Sequence, residues 1–226
     1  MGVRRLGNWG RWWGLGLICL LILSLGENIL VSLSKEEERA GAMLIGIETP
    51  WRKKPEYQGG FLLDGGVHFI AGTRILLGQE AKPAALTAYT TLLQEHLPPV
   101  DTVDSVWRTK SGVSGTFSVS FGTTLSGSEY TVACEKGSVT ITWVKGRSQV
   151  IVRLGEASEG NTSETEFANE GSGVKVEVAA WAESIADGTP NPAQSPEQAL
   201  ADLEILEKML KSGEGGGKVQ SLQYQI

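Results

Sequence analysis

The chain has 226 residues, a formal net charge of −6, and 41% hydrophobic against 20% charged residues. Domains usually hold roughly 100 to 200 residues, so this length suits one large domain or two small ones. The composition is that of an ordinary globular protein and excludes a disordered, collagen-like or disulfide-stapled chain. The acidic balance lacks the basic footprint that a phosphate-backbone partner needs, so no nucleic acid is expected.

The first segment, MGVRRLGNWGRWWGLGLICLLILSLG, has basic residues and then fifteen uncharged residues from Trp12 to Gly26. A membrane span usually needs ~20 apolar residues, so the run is better sized for a secretory-signal core. Ser24 and Gly26 place small residues at the −3 and −1 positions of a cleavage site. Signal peptide, membrane anchor and non-native leader all stay open. Leu6 breaks the myristoylation pattern. Cys19 and Cys134 make neither a disulfide framework nor a metal-ligand spacing. No metal is therefore expected, and the default compartment is reducing: cytoplasmic, with secretion or anchoring through residues 12 to 26 as the alternative.

Residues 1 to 43 thus divide into this leader and a charged connector, SKEEERAGA, and one continuous domain is expected over residues 44 to 226. Residues 59 to 77 carry Leu62, Phe69, Ile70, Leu76 and Leu77 at helical spacing and end at Gly78, which predicts a largely buried helix. Six β-type runs follow: AALTAYTTLL, DTVDSVWRT, VSGTFSVSFGTT, EYTVACE, SVTITWV and QVIVRL. In TFSVSF and SVTITWV apolar residues alternate with small or hydroxylated ones, as in an antiparallel sheet with one face covered. EKGS and VKGR supply turns. Residues 155 to 173 read as a loop or weak strand. Two helices complete the chain, GVKVEVAAWAESIADG and SPEQALADLEILEKMLKSG. The second has Ser195 as N-cap, Pro196 at its first position and Gly213 as stop. The element order predicts an α+β fold, a large open and mainly antiparallel sheet with helices packed on one face. SGEGGGK follows a helix and lacks a Ser or Thr after Lys218, so it reads as a linker rather than a phosphate loop.

Asp64 and His68, in EYQGGFLLDGGVHFIAG, stand four positions apart and would share one face of the first helix. A carboxylate beside an imidazole raises its basicity and orients it, which prepares a general base near neutral pH. The competing reading is a buried helix that uses Asp64 as a local cap and His68 as a hydrogen-bonded core histidine. Gly59, Gly60, Gly65 and Gly66 each cost a helix up to ~1 kcal/mol relative to alanine, which points to close approach by backbone or ligand. His96 precedes a Pro-Pro turn and reads as a surface residue, and Trp107, Trp143 and Trp181 read as core. Asn161-Thr162-Ser163 is a glycosylation sequon that matters only in a secreted chain.

WRKKPEYQGGFLLDGGVHFIAGTRILLG resembles the substrate-domain signature of the Gfo/Idh/MocA oxidoreductases, and LPPVDTV, GVSGTFSVSFGTT, YTVACEKGSV and NPAQSPEQALADLEILEKML are similar to the same domain in the same order. The likeness covers about residues 48 to 224. It implies a substrate domain of an NAD- or NADP-dependent enzyme that oxidises a sugar or polyol by hydride transfer. His68 would be the base and Asp64 its partner, with Trp51, Arg52 and Lys53 as substrate contacts. For Arg52 and Lys53 a solvated basic turn is the competing reading. The likeness also implies self-association through the sheet. The family's Rossmann half, with its glycine-rich turn and Glu-Lys-Pro lysine, has no counterpart in the sequence. Tight NAD(P) binding by this chain alone is therefore not expected. Two readings follow: a truncated substrate domain, inactive alone or completed by a Rossmann-domain partner, and a non-catalytic binding or dimerisation module derived from the family. A secreted or tethered sugar-binding domain is a third, and depends on the leader.

Overall fold

The computed structural model describes residues 31–32, 51, 54–56, 58, 60–79, 81–124, 127–144, 147–155, 161–167 and 173–226. Helix α1 (Gly60–Leu77) is followed by strands β2 (Pro83–Thr91), β3 (Thr102–Thr109), β4 (Ser114–Ser120), β5 (Glu129–Cys134), β6 (Gly137–Val144), β7 (Arg147–Leu154) and β8 (Asn161–Phe167). Helices α2 (Val174–Asp187) and α3 (Pro196–Glu214) come next, joined by a 3-10 turn, Pro192–Gln194, and β9 (Gln220–Ser221) closes the chain. Upstream of Leu44, the short strand β1 (Val31–Ser32) pairs with β5 and lies close to β4. Part of the segment assigned to leader and connector thus enters the sheet; the apolar run from Trp12 to Gly26 lies outside the described residues.

Every described strand pair is antiparallel. The expected α+β, antiparallel architecture is present, with the strands hydrogen-bonded as two sheets, β1-β5-β6-β7-β8 and β4-β3-β2-β9. Alternation decides the faces. Tyr130, Ile141 and Val150 stand in register across β5, β6 and β7, as do Val132, Val139 and Val152, and the first five of these are buried. The opposite face carries Thr131, Thr140, Thr142 and Gln149, with cross-strand links Arg147 to Glu166 at 3.2 Å and Gln149 to Glu164 at 3.3 Å. Of the segment expected as a loop or weak strand, residues 161–167 form strand β8, paired along β7.

Helix α3 packs on β2, and α1 packs on α3 and β5. As expected, the Ser195 hydroxyl caps α3 by accepting the Gln198 N–H at 3.3 Å. The helix passes the expected stop at Gly213 and runs to Glu214, because Gly213 is pressed against Thr90 and only a residue without a side chain fits there. SGEGGGK forms the turn from α3 into β9: the buried Ser212 hydroxyl donates to the Lys218 carbonyl at 2.8 Å and accepts from the Ala88 N–H at 2.8 Å. Arg74 of α1 and Asp202 of α3 pair at 2.6 Å. Burial is the largest influence on Asp202 and raises its carboxyl above the ordinary value, against the opposing pull of Arg74. The buried Glu204 carboxylate holds the C-terminal tail by accepting the Tyr224 N–H and the Gln225 amide, each at 2.9 Å.

Trp107 is buried and stacks on Phe117 at 5.1 Å, and Trp143 is half-buried against Tyr130. Trp181 is a correction: it lies on α2 and is 58% exposed. Helix α2 has no buried residue, so among the described helices α1 and α3 cover the sheets and α2 does not. Its apolar stripe faces outward, and no core is available to it among the described residues. His96 is exposed in its loop, as expected.

One buried polar group organises the corner between β2 and β3. Asp101 is fully buried, and its carboxylate accepts the Leu93 N–H at 3.1 Å, the Gln94 N–H at 2.7 Å and the Thr102 hydroxyl at 2.8 Å. Its backbone carbonyl accepts the Phe121 N–H at 2.9 Å, which sets where β4 ends. Asp101→Ala orphans two backbone donors and should lower unfolding free energy by about 2–4 kcal/mol in urea titration; a loss under about 1 kcal/mol would mean that water reaches the corner. Burial also pushes the Tyr130 phenol well above its usual range. The folded state then keeps a proton that the unfolded chain releases, and stability falls as pH rises past about 10. With Tyr130→Phe, the fall per pH unit above about 10.5 should be shallower by about 1 kcal/mol. An unchanged slope, followed by urea unfolding at each pH, would show a hydrated phenol.

Candidate active site

Helix α1 is packed on most of its circumference. Leu62, Gly66, Ile70, Thr73 and Leu77 are buried toward α3 and the sheets, with Leu206 of α3 seated against Gly66. A second flank carries Phe61, Gly65 and Gly72. Phe121 meets Phe61 edge to face with centroids 4.9 Å apart, and Tyr130 sits against Gly72. What remains outward at helical spacing is Asp64, His68 and Ile75. Asp64 is half-buried, and His68 and Ile75 are exposed. The reading of His68 as a buried core histidine is therefore set aside by the structure.

The glycines have a different cause from the one inferred. A side-chain carbon at Gly65 would stand 2.6 Å from the Phe121 ring, and Gly60, at φ +42°, abuts the Pro98 carbonyl. At Gly66 an added side-chain carbon would meet the Leu206 methyl only at an ordinary van der Waals distance, 3.4 Å, so packing does not demand glycine there. At Gly60 and Gly65 the close approach is made by the protein itself, so these two glycines are not a mark of a ligand; Gly59 lies outside the described residues. Tyr130 and Phe121 are positioning residues that spacing along α1 did not reveal. The only hint was alternation in EYTVAC, which puts Tyr130 on the apolar face.

Of the three expected substrate contacts, Trp51 is exposed, and Arg52 and Lys53 lie outside the described residues. The approach to α1 is tied down where the Gln58 amide donates to the Glu214 carboxylate at the end of α3. Cavities lie elsewhere. One of ≈ 20 Å³ is lined by Thr73, Trp107 and Phe117, and a cleft of ≈ 540 Å³ lies between α2 and the start of α3. Asp64 and His68 line neither of these. An acid and an imidazole so placed can take a proton from a hydroxyl laid across them, provided something else encloses the substrate.

Among the described residues no group of three or more His, Cys, Asp or Glu side chains could hold a metal ion. Nor do they fit a dinucleotide, whose pyrophosphate needs free backbone N–H groups at a glycine-lined helix start. At α1 the Pro98 carbonyl fills the space beside Gly60. At α3 the start is Ser195-Pro196, already capped by its own hydroxyl. At α2 the Val176 and Glu177 N–H groups both bond to the Gly173 carbonyl.

Comparison with known proteins fits this geometry. A sequence model described as the oxidoreductase family, C-terminal alpha/beta domain, matches residues 39–220. The dehydrogenase FPY6 of Fusarium mangiferae is 38% identical over 182 residues, which are 79% of this chain and 50% of that protein. The chain spans about half the length of the curated relatives it matches. A crystal structure of an oxidoreductase from Thermotoga maritima superposes with a TM-score of 0.70 at 25% identity, over 92% of this chain and 58% of that one. Levoglucosan dehydrogenase, in complex with NADH and L-sorbose, shares the fold with a TM-score of 0.70 at 15% identity, over 93% of this chain and 62% of its own. With two antiparallel sheets, an Asp-x-x-x-His helix seated on them and a match over most of its length, the chain belongs to the Gfo/Idh/MocA oxidoreductase family, in the part that family describes as its C-terminal α/β domain.

Proposed function

We propose that this chain is the substrate-side domain of an NAD- or NADP-dependent oxidoreductase acting on a sugar or polyol, and that it is inactive until a nucleotide-binding domain faces it. The observation that carries the reading is the exposure of His68, one turn after the half-buried Asp64, on a helix packed into the fold along two flanks. A base needs access to its substrate, and a histidine kept only for packing would be turned inward.

In this reading His68 removes the proton of the reacting hydroxyl, and Asp64, one turn earlier, orients the imidazole and stabilises its protonated form. Trp51 offers an exposed aromatic face on which an apolar face of a sugar ring can stack. The nicotinamide supplies the hydride acceptor, held by residues outside those described here.

The test is a reconstitution of the full chain with a separately produced nucleotide-binding half of a relative. His68→Ala should leave the thermal midpoint of the chain within about 2 °C, since it removes an exposed side chain. In the reconstituted complex it should reduce NAD(P)-linked sugar or polyol oxidation by about 10²–10⁴-fold. A drop in the midpoint of about 5 °C or more with activity retained would assign His68 to structure and sink the catalytic reading.

A further inference from the structure

We propose that Gln225 is a positioning residue for the Asp64–His68 pair: through its side-chain amide, the segment from Leu222 to Ile226 locks the far end of α1 onto α3 and so fixes the helix that carries the pair. The inference rests on the function proposed above for what the pair does.

Helices α1 and α3 are tied to each other near both ends. At one end Gln58, just before α1, donates to Glu214 at the close of α3. At the other, Arg74 meets Gln198 and Asp202 in the first two turns of α3. Asp64 and His68 stand between these ties. The Arg74 side chain is buried, and its bonds fix it from several sides. Nη1 donates to the Asp202 carboxylate at 2.6 Å and to the Gln198 carbonyl at 3.1 Å, and Nη2 donates to the Gln198 amide oxygen at 2.9 Å. Nε donates to the Gln225 amide oxygen at 3.0 Å, and of these bonds only this one reaches beyond α3.

Gln225 is turned into the fold between two outward neighbours. It is 8% exposed, against 52% for Tyr224 and 42% for Ile226. Its amide nitrogen donates to the Ala201 carbonyl and to the Glu204 carboxylate, each at 2.9 Å. The guanidinium on one side offers only donors, and the carbonyl and carboxylate on the other only acceptors. A primary amide satisfies both sides at once. A glutamate would set its carboxylate against Glu204, and a methionine of the same reach would leave all three partners short of a bond. The backbone brings the amide to this point. Leu222 N–H bonds to the Ala84 carbonyl at 2.9 Å just past the β9 pairing, and Glu204 accepts the Gln223 and Tyr224 N–H groups.

Helix α1 depends on such a tie. It holds Gly60, Gly65, Gly66 and Gly72, and glycine weakens a helix from within. Arg74 follows His68 by six positions, about 9 Å along the axis at ~1.5 Å per residue. A rotation of α1 about its axis would carry both side chains with it, so holding the guanidinium holds the pair.

The experiment compares the full chain with Gln225→Met and with Gln223→Met, the same change at an exposed position two residues away. The chain has two histidines, His68 on α1 and His96 in its loop, so their ring resonances report on α1 against an internal reference. In Gln225→Met the His68 signals should shift or split, and amides from Val67 to Ala71 should exchange at least ~10-fold faster. His96, the amides of β6 and the circular dichroism should stay as in the parent chain, and Gln223→Met should change nothing. Arg74→Lys keeps the charge and loses the fork, so it should reproduce the effect. Adding Gln225→Met to Arg74→Lys should bring less than ~2-fold more, because both act through one clamp. In the reconstituted complex kcat should fall ~10–100-fold in Gln225→Met, with KM changed less than ~2-fold.

Unmoved His68 signals in a folded Gln225→Met chain overturn the proposal. So does faster exchange confined to residues 218–226, or an unchanged kcat in an active complex. Where Gln225→Met does not fold, Arg74→Lys decides by the same readouts. Failure of the catalytic reading has a different signature: the unsubstituted complex does not turn over, or His68→Ala still does, while the His68 ring still responds to the change at Gln225.

Discussion

The approach of α1 to its neighbours is the constraint on which the other features depend. Gly65 lets the Phe121 ring into the space where a side chain would stand, and Gly60 does the same for the Pro98 carbonyl. Phe121 is in turn held by the Asp101 corner through its backbone N–H. A buried carboxylate with three hydrogen bonds thus fixes the end of β4, the end of β4 places an aromatic ring, and the ring seats the helix that carries Asp64 and His68. Glycine costs a helix intrinsic stability. Here that cost is offset by burial of Phe61, Leu62 and Ile70, which a wider separation would leave partly wet.

This seating explains how a polar pair can be rigid and open together. Two flanks of α1 are committed to the core, and the third has no covering element among the described residues. Rigid placement on a packed helix is what a proton-transferring pair requires, because a misplacement of about 1 Å is costly to catalysis. Exclusion of water is the other requirement, and the described residues do not meet it at this surface. The family to which the chain belongs, and the relatives about twice as long as the matched region, supply the frame for the completed site proposed above.

Helix α2 shows the same incompleteness in apolar form. Its periodicity is that of a helix with one buried face, and the sequence reading accordingly placed Trp181 in a core. The structure forms the helix and leaves that face outward. Periodicity reports that a stripe wants an apolar partner; it does not report which surface the partner belongs to. The polar outer face of the five-stranded sheet, with Thr131, Thr140 and Thr142, makes no such demand.

By itself the sequence determined the element order, the faces of β4 and β6, the N-cap of α3 and the Asp64–His68 spacing, since each depends on neighbours within a few positions or on alternation of period two. It also carried the family, through motifs in fixed order. Tertiary structure decided what long-range contact decides. β8 became a paired edge through its antiparallel ladder with β7; Gly213 inside α3 has Thr90 pressed against it; Val31 and Ser32 joined β5 from upstream. The glycines around the pair looked like room for a ligand, and contact with Pro98 and Phe121 showed Gly60 and Gly65 to be room for the protein's own packing. A glycine in sequence declares that something comes close, and only the folded chain says what.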